Sequence, residues 1–165
     1  MAYTISTAQI GTQPIGATST TQLQPTGQIV RAIDPTYGEG EFIYLKGVAN
    51  TVVGSIVTYN TSAGTTTLAP AGSNKPQPVA VAMSANVANQ WGWYQISGIA
   101  VVAKAATVSL AAGVAVGVQS AGVINASASG KEVQGALVAA VASAASGRTT
   151  VQVVVNRPHM QGRVS

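Results

Sequence analysis

The chain of 165 residues has no cysteine, which excludes disulfides and thiol chemistry. It has one histidine, His159, and one aspartate, Asp34. A Ser-His-Asp triad would have to bring the C-terminal end to residue 34, and the Gly-x-Ser-x-Gly elbow of such hydrolases is missing. His159 is remote in sequence from any group that could complete a metal site. Asp34, Glu39 and Glu41 form one acidic cluster, DPTYGEGE, without the ladder of acids and asparagines that a calcium loop needs. It reads as a turn with solvated carboxylates. Gly38 and Gly40 do not extend to a dinucleotide fingerprint, and Gly130-Lys131-Glu132 lacks the remainder of a phosphate loop. The sequence therefore predicts no catalytic residues, no cofactor and no metal.

Charge is the second shortage. Only 7% of residues are charged, against about 25% in an ordinary soluble domain. Sheets with so few edge charges pair readily with other chains, so an obligate oligomer or a larger assembly is expected. The net charge of +4 is unevenly spread: the first thirty residues carry none, whereas Arg148, Arg157, His159 and Arg163 make a basic end without an acid. That end is either a solvated tail or a contact for an acidic partner. Direct nucleic-acid binding is not expected, because Lys and Arg are not interleaved with aromatics. The start lacks the basic and apolar regions of a signal peptide. The apolar run over 98–118 encloses Lys104 and uses Ala and Gly in place of Leu and Phe, which argues against a membrane span.

Leu and Phe are scarce too, five and one, so the apolar weight falls on Val and Ala, with Ile in support. Together with abundant Thr, this favours strands, because branched side chains suit a pleated surface. The expected fold is all-β, a small β-barrel or β-sandwich with an extended N-terminal arm. We divide the chain into an arm over 1–35, a β-domain over 36–156 and a basic tail over 157–165. Strands are expected at Glu41–Lys46, Thr51–Asn60, Thr65–Leu68, Val79–Met83, Trp93–Ser97, Ile99–Lys104, Val114–Val118, part of Val133–Ala144 and Thr149–Val155.

A weak twofold pattern runs through this domain. Tyr44-Leu-Lys-Gly-Val-Ala resembles Gln95-Ile-Ser-Gly-Ile-Ala, Gly54-Ser-Ile-Val resembles Gly113-Val-Ala-Val, and the run from Val79 resembles the run from Leu137. Two such units would pack face to face or close a barrel.

Residues suited to partner contact are the apolar positions of the uncharged arm, Ile5, Ile10, Ile15, Leu23 and Ile29, which could add a strand to an exposed sheet edge. To these we add Arg31, the basic Arg148, Arg157 and Arg163, and Trp91. Trp91 belongs to the one aromatic concentration, Trp91, Trp93 and Tyr94; Trp93 is expected to cap the core, and Trp91, facing oppositely, to be exposed. The arm is expected to order only on a partner.

The stretches Gly98-Ile-Ala-Val-Val-Ala-Lys, Leu110-Ala-Ala-Gly-Val-Ala-Val, Gly135-Ala-Leu-Val-Ala-Ala-Val-Ala-Ser-Ala-Ala-Ser-Gly and Thr150-Val-Gln-Val-Val-Val resemble the small β-rich decoration proteins of tailed-bacteriophage capsids. The resemblance covers about residues 40 to 155. It implies a cement protein on the outer surface of an icosahedral virion shell, often trimeric, bound to the major capsid protein and resisting the pressure of packaged DNA. The chain departs from that pattern in the return segment, where Ser143, Ser146 and Arg148 stand where family members commonly carry acids. The rival reading is a host-recognition β-domain of a tail fibre or adhesin, which would more often show fibrous repeats or an aromatic carbohydrate platform.

Overall fold

A computed structural model describes residues 4–5, 11–72, 75–141 and 149–162. The fold is all-β, with no helix among the described residues. Twelve strands run in order: β1 (Thr4–Ile5), β2 (Thr18–Ser19), β3 (Ile29–Asp34), β4 (Gly38–Lys46), β5 (Ile56–Tyr59), β6 (Thr66–Leu68), β7 (Val79–Ala82), β8 (Trp91–Ala103), β9 (Ala115–Ser120), β10 (Val123–Ala126), β11 (Glu132–Val138) and β12 (Thr150–Met160). They form one antiparallel network with the path β1-β3-β4-β8-β12-β11-β9-β10, from which β2, β5, β6 and β7 branch. The network does not close. Of the two expected architectures, it is the sandwich-like one.

Strand β8 is the hub. Residues 91–97 pair with β4, and residues 97–103 pair with β12. The sequence read β8 as two strands separated by Gly98, but the ladder runs through it. The register against β4 shifts at Ile96, and just beyond it Gly98 sits at φ +99°, where a Cβ would meet Glu39 O at 2.6 Å, so that position leaves room only for glycine.

The twofold pattern is present in the pairing. β5 pairs with β6 and β7, and β7 with β8; β9 pairs with β10 and β11, and β11 with β12. Turn glycines Gly54 and Gly113 both have positive φ, as do Gly64 and Gly122. Gly54 N–H donates to Ala82 O and Gly113 N–H to Val138 O, both at 2.8 Å. The positive φ at Gly98 is matched at Arg157, φ +43°, and a register shift lies beside each. The register expected for the first segment needs correction, because Lys46 and Lys104, not Tyr44 and Gln95, hold matching positions, each making a parallel bridge to the second side of the following hairpin, at Thr65 and at Ile124. The copies meet edge to edge through β4, β8 and β12, because the bulges let each long strand change partners midway.

Three apolar clusters fill the layers. One joins Ile56, Val79 and Val81 to the inward residues of the second copy, among them Val102, Val116, Ile124, Val153 and Val155. A second holds Ile15, Val30, Ala32, Phe42, Tyr44, Met83 and Trp93. The third holds Ile43, Leu45, Val57, Ala80, Ala82, Tyr94 and Ile96. The run Phe42-Ile43-Tyr44-Leu45 is apolar throughout because β4 is covered on both faces. Trp93 is buried as expected, edge-on to Tyr44 with ring centroids 5.0 Å apart.

The two ends of the chain correct the division drawn from sequence. Within 1–35, Ile29–Asp34 is a full strand whose alternate residues Val30, Ala32 and Asp34 point inward. Residues 11–28 lie on the domain itself and are not left waiting for a partner. Trp93 Nε1–H donates to Gln13 O at 2.8 Å, Tyr44 O–H donates to Gln13 Oε1 at 2.9 Å, and Ile15 is buried. The uncharged Thr/Gln segment orders here because the polar tips of Trp93 and Tyr44 need buried partners. At the other end, Arg157–Met160 belong to β12 and are not a free tail.

The segment over 98–118 spans the end of β8, a loop and the start of β9, and no helix among the described residues is long and apolar enough to cross a membrane. Lys104 is buried within it, its Nζ donating to Val108 O at 2.9 Å and Ala105 O at 3.1 Å.

Two measurements check this packing. Ile15→Ala should cost about 2–5 kcal/mol of unfolding free energy by chemical denaturation, as for a core position; a change near zero would mean that the segment does not dock. Tyr94 is fully buried, and burial pushes its phenol up to about 12. The folded state then keeps a proton that the unfolded state loses from pH 10 upward. Tyr94 therefore supports stability fully below pH 10, and about 2–3 kcal/mol should be lost as pH rises to about 12. Denaturant titrations at pH 8 to 11 should show this fall, less steeply in Tyr94→Phe.

Candidate interaction surface

In β12, Val151, Val153 and Val155 point into the core, so period-2 alternation sends Thr150, Gln152, Val154 and Asn156 outward. Register places Val154 opposite Ile99 of β8 and opposite Leu137 of β11, which in turn faces Ala115 of β9. Directly paired residues share a face. An apolar row, Ile99-Val154-Leu137-Ala115, therefore crosses four strands on the outside of the sheet. Leu137 is 50% exposed and Val154 45%. The outward neighbours in β8 and β12, Ser97, Val101, Ala103, Thr150, Gln152 and Asn156, include no charged residue. At its margin a cleft of about 280 Å³ is lined by Tyr37, Val101, Ala140, Val141 and Gln152, and Val141 is 71% exposed.

Beyond Ser97 the same register reaches a charged cluster. Arg31, Glu41, Ser97 and Asn156 are paired in succession across β3, β4, β8 and β12. Arg157 Nη2 donates to Glu41 Oε2 at 2.9 Å, Arg31 Nε lies 3.6 Å from Glu41 Oε1, and Arg31 Nη1 lies 3.8 Å from Glu39 Oε1. The acidic stretch is therefore not a simple solvated turn. Asp34 is buried, and its Oδ1 accepts from the backbone N–H groups of Thr36 and Tyr37 at 2.8 and 3.0 Å, which fixes the β3–β4 turn. Glu39 and Glu41 face arginines.

Beside this cluster a groove of about 370 Å³ is floored by Ile29, Ile96, Pro76, Pro78 and Pro158, with Tyr59, Arg157 and His159 at its rim. Burial raises the Tyr59 phenol, and the Arg157 charge opposes that rise.

The contact residues expected from sequence separate into groups. Ile15 is committed to the domain's own core, and Ile5 packs against the same cluster while pairing with Ala32, so neither offers a free apolar surface. Leu23 and Ile29 are exposed. Arg31 and Arg157 come together around Glu41. Trp91 is half-buried against the second cluster, with Lys46 Nζ 5.3 Å from its ring centroid, so it does not stand clear as an anchor. Ile10, Arg148 and Arg163 lie outside the described residues. Sequence reasoning missed Ile99, Leu137 and Val154. The available signal was Val154, which breaks the alternation of Thr150 to Asn156 with an apolar residue at an outward position.

Among the described residues no three His, Asp or Glu side chains stand together in a way that could hold a metal ion. No protein-family model, no curated protein and no solved structure matches the chain.

The left-handed backbone at Arg157 gives a test of the charged cluster. Its positive φ is disfavoured for any side chain, whereas the exposed pair with Glu41 contributes about 0–1 kcal/mol. Arg157→Gly should therefore change the unfolding free energy by no more than about 1 kcal/mol. A larger loss by denaturant titration would show that the arginine clasp holds the sheet together.

Proposed function

We propose that this chain is a non-catalytic structural protein of a tailed-phage virion, a decoration protein that cements the outside of the shell formed by the major capsid protein. It acts as a homo-oligomer, with a trimer preferred, whose copies meet through the outer face of β8, β12 and β11.

The observation that carries this reading is the apolar row Ile99-Val154-Leu137, whose outward neighbours in β8 and β12 from Ser97 to Ala103 and from Thr150 to Asn156 carry no charge. A solvated antiparallel sheet normally alternates apolar and polar residues. Here the outward side is apolar at its centre in a chain that has few charges with which to stay apart from its neighbours. The resemblance of these same strands to capsid decoration proteins gives the biological setting. The uncharged surface suits an assembly whose contacts must hold irrespective of ionic strength, because buried apolar area is not screened by salt.

Gel filtration with light scattering should give an oligomer, and the protein should sediment with purified empty shells at both low and high salt. Val154→Glu places a carboxylate in the centre of the contact, where an unpaired buried charge costs about 3–5 kcal/mol. That variant should run as a folded monomer and release the shells. A monomeric wild-type protein that ignores shells would overturn the reading, as would a Val154→Glu variant that assembles normally.

A further inference from the structure

The β5–β6 hairpin carries a polar cleft in which Thr58, Tyr59 and Thr65 stand where the second copy has Gly117, Val118 and Val123. We propose that this cleft, between the hairpin and Gln77, is a binding site for an uncharged carbohydrate. Its volume is about 500 Å³, within the range of small-ligand sites. Every side chain that lines it is an aliphatic hydroxyl or a carboxamide apart from one phenol, Tyr59, and none is charged. Thr61, Thr65, Thr67 and Gln77 are exposed to the cleft, and Tyr59 is half-buried at its edge.

The internal repeat acts as a control on what the fold itself requires. The cross-strand pairs Thr58–Thr67 and Tyr59–Thr66 of β5–β6 correspond to Gly117–Asn125 and Val118–Ile124 of β9–β10. The second hairpin closes in the same register around a positive-φ glycine, using Gly, Asn, Val and Ile where the first uses Thr and Tyr. Hydroxyls are therefore not needed to make the hairpin. Thr66 has a structural use, donating from Oγ1 to Lys46 O at 2.8 Å, but Thr65 and Thr67 project outward on either side of it.

The chemistry of the lining selects the ligand class. Threonine and serine hydroxyls both donate and accept, and carboxamides offer both functions on one plane, which matches the mixed donor and acceptor pattern of sugar hydroxyls. Asn60 Oδ1 is occupied by the N–H groups of Ser62 and Ala63 at 2.8 and 3.0 Å, so the turn is held and the amide is presented with its donors outward. Tyr59, which packs against the third cluster and also borders the Arg157 groove, leaves its half-buried ring at the edge of the cleft as the apolar element for the C–H side of a sugar. A phosphorylated, sialylated or uronic-acid ligand would need cations in the lining, and there are none. The site uses residues separate from the apolar row, so it stands or falls independently of shell attachment.

The test is a glycan array carrying uncharged galactosides, mannosides, glucans and N-acetylglucosamine oligomers, beside sialylated and uronic-acid sugars. Retention of uncharged glycans is expected, with chemical shifts of the Tyr59 ring perturbed when the retained sugar is titrated. Tyr59→Val installs the residue that the second copy uses at that place. Thr65→Val with Gln77→Ala removes polar groups from exposed positions only. The Thr65→Val, Gln77→Ala variant should keep its unfolding temperature, Tyr59→Val should lose part of its packing against the third cluster yet remain folded, and each should weaken binding by about tenfold or more. No retention of any uncharged glycan would overturn the proposal, and so would equal binding of charged sugars or binding unchanged in both variants.

Discussion

Backbone pairing along β8 is the constraint on which the rest of the structure depends. Its thirteen residues are shared between β4 and β12, and the exchange occurs at Ser97–Gly98, where Ser97 pairs with Glu41 on one edge and Asn156 on the other. A continuous strand can hold two partners in succession only if its twist changes locally. The register shift at Ile96 and the positive-φ Gly98 beside it supply that change, and at Gly98 Glu39 O approaches too closely for any other residue. Both copies of the four-strand unit hang from this ladder, and the three clusters occupy the spaces that it leaves between layers.

Small side chains follow from this arrangement. Layers joined by shared backbone strands lie close, so Val and Ala fill most inward positions of β7, β11 and β12. The large aromatics Phe42, Tyr44 and Trp93 collect where the N-terminal segment covers the sheet. Gln13 and Ile15 belong to that cover, which makes the segment part of the fold. A chain built in this way has little surface charge with which to oppose association, and its outward apolar row lies on the ladder that organises the fold. The proposed assembly face and the proposed carbohydrate cleft are on different hairpins, so one molecule could be anchored and still present a site.

Much of the β-domain was legible because alternation and turn residues are local properties. The strands around β4, β6, β7 and β12 were found near their observed positions, and the duplication was visible in Gly54 and Gly113. β1, β2, β3 and β10 were missed, and for β3 the physical reason is visible. In β3 the bulkier Ile29, Arg31 and Ile33 face outward while the smaller Val30 and Ala32 face the core, so hydrophobicity gives no clear inward face. The candidate surface was less legible. Ile99, Val154 and Leu137 are separated by tens of residues and become neighbours only through the register of β8, β12 and β11.

The sequence by itself determined the fold class and the chemical poverty of the chain. Branched residues favour pleated strands wherever they are placed, and absent side chains are absent in any fold. Only the tertiary structure decided which apolar residues are consumed inside and which remain outside. Ile15 and Val154 read alike as isolated apolar positions, yet one is enclosed by Trp93 and Tyr44 and the other is left on an open face. That difference is set by long-range pairing and by which segment covers which layer, and no local pattern encodes it.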